Sequence, residues 1–192
     1  MENSNISQKT KDMVMIGLMA ALICVMGPLS ISLPFTAVPI SLTNLAVYFV
    51  IYVVGTKKAV ISYVIYLILG MCGLPVFSNF SAGVQKIAGP TGGYLIGFIL
   101  MAIVSGFFID RWYDKPLIAF AGMWVGKFFS AALGASWYAF SMGLTLQAAV
   151  LGGVVPFLAG DLVKTILVAL IGPVVKKRLA AGGIIRETSK AV

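Results

Sequence analysis

The sequence predicts an all-α integral membrane protein, a bundle of six transmembrane helices with both termini in the cytoplasm. Three observations lead there. Hydrophobic residues make up 60% of the 192 residues and charged residues 10%, against about 45–50% and 25% in an ordinary globular domain. One soluble core of this size could not bury that much apolar surface, so hydrocarbon must be the solvent. The charges are also confined to a few places, because residues 13–56, 59–85, 87–109 and 128–160 hold none. Finally, Lys and Arg outnumber Asp and Glu by 14 to 6, and their positions are strongly one-sided.

A bilayer core takes about 20 apolar residues per helix, and that length cuts the chain in order. Residues 1–12 form a polar cytoplasmic segment. The first span follows at 13–33; it is too long for the h-region of a signal peptide and lacks a convincing cleavage site, so none is expected. The uncharged stretch 13–56 is long enough for two spans, and Pro34 and Pro39 mark the turn between them. The second span is 40–54, a short one, and Lys57 and Lys58 separate it from the third at 58–74. A long connection leads to the fourth span at 92–109. Asp110 to Lys115 then precede the fifth at 116–142, with a surface helix near 144–152. The sixth occupies 156–175. Residues 13–176 thus form one transmembrane domain, followed by a basic cytoplasmic tail at 177–192. No fixed-period repeat is present, so an inverted-repeat transporter in one chain is not supported.

Basic residues set the orientation. With the N-terminus inside, the cytoplasmic segments carry Lys9, Lys11, Lys57, Lys58, Arg111, Lys115, Lys176, Lys177, Arg178, Arg186 and Lys190, and only Lys86 lies in an outer loop. The net charge of +8 is therefore a topology signal. Its expected partner is the membrane lipid, through anionic headgroups, and not nucleic acid. His is absent, and the only cysteines, Cys24 and Cys72, sit in apolar runs. Neither a metal site nor a disulfide framework is indicated.

Three ionisable side chains fall within predicted spans: Lys127, Asp161 and Lys164. Each costs at least ~2.5–3.5 kcal/mol near a helix centre unless it faces a cavity or a partner. Asp161 and Lys164 share a helix face at i, i+3 spacing, in the outer third of the last span. They form either a mutually neutralised pair or a polar ligand site open to the outside. Lys127 lies ~16 Å into the fifth span at 1.5 Å per residue, where it meets Asp161 or lines the same cavity. The outer connection 75–94 is long enough to suggest function. Its Gly89-Pro-Thr-Gly-Gly93 segment permits close backbone approach and offers N–H groups at a helix start, and Asn79, Gln85 and Lys86 add polar groups. No Gly-Lys-Ser/Thr follows, so a nucleotide loop is not supported. Tyr48, Tyr52, Tyr63, Tyr66, Trp124, Trp137 and Tyr138 read as belt or packing residues.

Four blocks go further: Val38-Pro-Ile-Ser-Leu42, Gly73-Leu-Pro-Val-Phe-Ser78, Ala88-Gly-Pro-Thr-Gly-Gly-Tyr-Leu-Ile-Gly-Phe98, and Pro156-Phe-x-x-Gly-Asp161-x-x-Lys164. In order and spacing they resemble the BioY family, the biotin-binding S components of energy-coupling-factor vitamin transporters, over roughly residues 13–178. The resemblance implies a cell-membrane protein that captures biotin from outside and is not an enzyme. It implies association with a transmembrane T component and two cytoplasmic ABC-type ATPase subunits. No cofactor is implied beyond the ligand, biotin. The expected binding residues are Asp161, Lys164, Asn79, Tyr94, Thr43, Gln85 and Lys86, of which Lys86 comes from the polar loop and matches no position of the family pattern. Two blocks depart from the family pattern: Ser41-Leu42-Thr43 stands where Thr-Leu-Gln is usual, and Asn79 where Gly is common.

Biotin's chemistry suits these side chains. A carboxylate accepts its urea N–H groups, an amide such as Asn79 pairs with either side of a urea, lysine meets its carboxylate, and an aromatic ring covers its apolar sulfur ring. The alternatives are an S component for another vitamin such as riboflavin, and a proton-coupled carrier relaying through Asp161. An intramembrane enzyme would need Lys127 beside Ser130 or Ser62, which nothing in the sequence brings together. On the first span, Gly17 and Ala21, and Ala20 and Cys24, are spaced i, i+4. Such small faces let helices approach closely in lipid. The resemblance implies that this one docks on the T component; packing inside the bundle is the other reading.

Overall fold

The computed structural model describes the backbone of residues 2–185 and the side chains of residues 8–185. Arg186 and Lys190, two of the basic residues used for orientation, lie outside the described residues. The chain is mostly helical. Helix α1 (Glu2–Met26) is followed by a two-stranded antiparallel hairpin, β1 (Ser30–Ile31) and β2 (Ile40–Ser41). Helices α2 (Thr43–Val54), α3 (Thr56–Met71), α4 (Val84–Ala88), α5 (Gly92–Trp112), α6 (Pro116–Met142), α7 (Leu146–Gly153) and α8 (Leu158–Ala181) complete the order.

Local chemistry sets the helix ends. α1 stops seven residues before the predicted 33 because Gly27-Pro28 follows Met26, and proline cannot continue the ladder. The predicted turn at Pro34 and Pro39 is the tip of the hairpin, in register with Ser30 opposite Ser41. Gly55, at φ +81°, breaks α2 from α3, a backbone conformation that suits glycine. Asp110 then closes the start of α3, its Oδ2 accepting from Thr56 N at 3.0 Å and Thr56 Oγ1 at 2.6 Å. Proline opens α6, where its missing N–H is harmless, and Gly143 ends it in the left-handed conformation. The Thr145 hydroxyl caps α7 by accepting from Ala148 N.

Among the described residues, three helical stretches are long and apolar enough to cross a membrane: Gly92–Trp112, Pro116–Met142 and Leu146–Ala181. The last runs through α7, a tight turn at Val155–Phe157, and α8. The first three predicted spans fall on α1, α2 and α3. α2 has only 12 residues, about 18 Å at helical rise, well short of a hydrocarbon core of about 30 Å.

α5 and α6 pack along a seam of glycines. A Cβ on Gly93 would strike Trp137, on Gly122 the Phe108 side chain, on Gly126 Ser105, and on Gly134 the ring of Tyr94, and one on Gly97 would crowd the backbone of Ser130. Lipid offers helices no hydrophobic drive to associate, so close backbone approach supplies the attraction. Tyr48, Tyr52, Tyr63, Tyr66, Phe77, Met101 and Met123 are fully buried within the bundle. Tyr48 and Tyr63 donate their hydroxyls to Met123 O at 3.1 Å and Leu95 O at 2.8 Å. The opposite faces carry exposed Phe107, Phe128, Phe140 and Leu170, as a lipid-facing surface requires.

Candidate functional site

The polar residues of the hydrophobic stretches converge at one end of the bundle, where the N-termini of α2, α5 and α8 meet α6 and the hairpin. Asp161 lies in the first turn of α8, where the helix dipole favours a carboxylate. It is 3% exposed. Its Oδ1 accepts from Asn44 Nδ2 at 2.6 Å and from Lys164 Nζ at 3.4 Å. Lys127 Nζ stands 2.5 Å from Oδ2, an ion contact without hydrogen-bond geometry, so Oδ2 has no hydrogen-bond donor among the described residues. Lys164 Nζ also donates to Ser41 O at 2.7 Å and to Asn44 Oδ1 at 3.2 Å. The Asn44 amide is fixed in turn, because its Oδ1 accepts from Leu45 N at 3.0 Å.

Four elements therefore hold one carboxylate, two ammonium groups and one amide in the bundle interior. The cluster carries one more positive than negative charge. An isolated buried ion is costly, and a network of partners offsets that cost. The surrounding cavity, about 60 Å³, is lined on its apolar side by Val38, Tyr94, Leu95, Phe98 and Phe157, and on its polar side by Thr43, Ser78, Lys86 and Thr91 beside the cluster. Tyr94 is held in place by its hydroxyl, which donates to Gly153 O at 2.8 Å.

The long connection closes over this cavity and is less irregular than its sequence implies. Phe77 anchors it, fully buried and edge-on to Tyr66 with ring centroids 5.5 Å apart. Trp137 Nε1 donates to Gly89 O at 2.9 Å and pins its far end to α6. Between them lie a turn at Ser78–Phe80 and the short helix α4. Burial on that helix pushes the Lys86 ammonium below the ordinary lysine range. The Gly92 N–H, expected to face a ligand, donates to Gly89 O at 3.0 Å. Glycine is needed at 92 because a Cβ would run into the carbonyl of Ile87.

Comparison with known proteins shows the family. The BioY family model matches residues 1–181. The chain belongs to the BioY family. It is 37% identical over 172 residues to the "Biotin transporter BioY" of Thermotoga maritima, covering 87% of this chain and 96% of that protein. It is 33% identical over 167 residues to "Biotin transporter BioY2" of Lactococcus lactis subsp. cremoris, covering 86% and 91%. A crystal structure of the S-component for biotin from an ECF-type ABC transporter superposes with a TM-score of 0.81 at 29% identity, over 89% of this chain and 93% of that one. Like its relatives in the BioY family, the protein is a multi-pass membrane protein.

The expected BioY binding residues separate into two groups. Asp161, Lys164, Tyr94, Thr43 and Lys86 line one cavity. Asn79 and Gln85 stand exposed outside it. Asn79 links loops instead: its Oδ1 accepts from Ser30 Oγ at 2.8 Å and its Nδ2 donates to Ser32 Oγ at 2.7 Å. It also adopts the left-handed backbone, φ 59°, which an asparagine tolerates and which a glycine would fill without strain. Lys127 does both things expected of it, pairing with Asp161 and lining the cavity. Asn44 was not singled out, although the signal was there: it is an amide between Thr43 and a run of apolar and aromatic residues, in a stretch with no charge to pair it. The small-residue face of α1 also divides. Gly17 and Ala21 point outward, with nothing near Gly17, whereas Ala20 is 2% exposed and Cys24 is half-buried.

Proposed function

We propose that this protein captures biotin at the Asp161 cavity as the substrate-specific subunit of an ATP-driven vitamin transporter. One observation carries the reading most: a buried cluster of Asp161, Lys127 and Lys164, one positive charge in excess, set against an aromatic and aliphatic wall. Biotin is an apolar bicycle with a urea at one end and a carboxylate at the other. Asp161 accepts the urea N–H groups, a lysine of the cluster meets the carboxylate, and Tyr94 with Phe98 covers the rings. Thr43 and Lys86 complete the polar rim. Family membership and relatives that are named biotin transporters support the same ligand.

The cavity of about 60 Å³ is smaller than the ~300–1,000 Å³ typical of ligand sites. Biotin therefore enters by parting the lysines from Asp161 and by lifting the connection between Phe77 and Gly89, which acts as a lid. In this reading α1, α2, α3, α5, α6 and α8 are six spans and both termini face the cytoplasm. The basic residues support it, since Lys57, Lys58, Arg111, Lys115, Lys176 and Lys177 lie toward the helix ends remote from Asp161, and Lys11 lies beside Asp12, which pairs with Lys58. The outward pair Gly17 and Ala21 docks on a transmembrane T component, which couples to two cytoplasmic ATPase subunits.

Mass spectrometry of the protein purified in mild detergent tests the ligand: biotin co-purifies and rebinds after removal. Absence of biotin binding by calorimetry would overturn the proposal. Docking has its own test. Ala21→Trp should leave biotin binding within about twofold, because that side chain points out of the bundle, while ATP-driven uptake and co-purification with the T component are lost. Loss of biotin binding in that variant would place the face inside the bundle.

A further inference from the structure

A second polar cavity, about 340 Å³, lies at the opposite end of the bundle. Lys11 and Asp12 of α1, Lys58 of α3, Asp110 of α5 and Lys176 of α8 line it, with Ile184 and Ile185 at its edge. Some of its charges are satisfied. Lys58 Nζ meets Asp12 Oδ1 at 2.6 Å, and Asp110 Oδ2 caps Thr56. Others are not. Lys176 is 5% exposed and its Nζ stands over the Tyr113 ring at 4.4 Å, while Asp110 and Asp114 act on it only from beyond ion-pair distance. Asp110 Oδ1 is buried with no hydrogen-bond donor. A cation–π contact compensates a buried ammonium only partly, and such a group ordinarily finds an anion.

Among the described lining residues three lysines stand against two aspartates, an excess of one positive charge. Asp110 Oδ1 has no donor among the described residues. We propose that this cavity binds a phosphate-bearing monoanion that carries a hydroxyl, held by Lys176 and Lys11 through its phosphate oxygens and by Asp110 through its hydroxyl. The headgroup of phosphatidylglycerol has this chemistry, and so does free dihydrogen phosphate. The surroundings favour the lipid. Next to Lys11 and Asp12 the surface of α1 is apolar and open, with Met13 70%, Val14 63% and Leu18 58% exposed, a path for an acyl chain beside the headgroup. Basic pockets between helix ends suit anionic headgroups in this way. The assignment does not depend on what the Asp161 cavity binds.

Native mass spectrometry of the full chain in non-ionic detergent tests it. Dioleoylphosphatidylglycerol should form a one-to-one adduct at concentrations about tenfold below those needed for dioleoylphosphatidylcholine, since bonds to charged groups are the stronger ones. Lys176→Met should lower that affinity about tenfold while retaining biotin binding, which reports a folded protein. Lys177→Met should not, because Lys177 pairs with Asp114 outside the cavity. Lys11→Met, at the exposed rim, provides a second variant and should also weaken the adduct. Displacement of the lipid by millimolar inorganic phosphate would support the same chemistry with the free ion as its source. Equal adducts with the two lipids, or wild-type affinity in both Lys176→Met and Lys11→Met, would overturn the proposal.

Discussion

Asp161 and Lys176 sit about 22 Å apart along α8 at helical rise, and their surroundings treat buried charge in opposite ways. At Asp161, helices α2 and α6 each bring a partner, Asn44 and Lys127, and the cavity closes to about 60 Å³. At Lys176 no described oxygen comes within bonding range; the ammonium stands over the Tyr113 ring, Asp110 and Asp114 act on it only from farther off, and the space is about 340 Å³. A charge on a helix is thus held or left open by what neighbouring helices supply. The first end is prepared for a ligand that exchanges with internal partners. The second has room for one without displacing any.

Substitutions can break or sharpen this contrast. The largest effect should come from Asp161→Asn, which leaves two buried ammonium groups without their anion. Bonds to a charged group are worth ~1.5–3 kcal/mol, so biotin affinity measured by calorimetry should fall about ten- to a hundredfold. The thermal midpoint should fall as well. Unchanged affinity in both Asp161→Asn and Lys164→Met would reduce the cluster to a structural pair. Lys127→Met should be milder. Lys164 still balances Asp161, so stability holds, while the lost positive charge lowers affinity for the anionic ligand about tenfold. An affinity equal to that of the wild type would assign Lys127 to neutralisation alone.

The smallest effect should follow Lys176→Met. Biotin affinity should stay within about twofold, because the site is remote and distant positions act nearly independently. In micelles free of phospholipid the thermal midpoint should stay or rise, since a buried ammonium with no close ion pair has been replaced by an apolar chain of similar length. A marked fall would show that Lys176 is held as firmly as Lys164, and the contrast between the two ends would disappear.

Much of this arrangement was legible one residue at a time. Lys127, Asp161 and Lys164 stood out because lipid excludes charge, and the i, i+3 spacing placed two of them on one face. Pro116 and Gly143 bound α6 where their backbone chemistry demands, so its limits agree with the predicted 116–142. Gly27-Pro28 held the signal that ends α1 early, but a run of apolar residues beyond it obscured the stop. Asn79 and Gln85 posed a different difficulty. An amide in a loop looks the same whether it faces a ligand or a neighbouring turn, and Asn79 is satisfied by Ser30 and Ser32, 49 and 47 residues away.

The sequence by itself determined that the chain lies in hydrocarbon, where its long helices fall, and which charged side chains need partners. Those outcomes depend on transfer energies and on spacing along one helix, and both are local. Tertiary structure alone decided that Asn44 and Lys127 reach the same carboxylate, that Gly92 makes room for a carbonyl, and that Lys176 faces an aromatic ring with no oxygen of the described residues in bonding range. Each of these depends on the distance between helices, which the glycine seam of α5 and α6 and the buried tyrosines set through close packing.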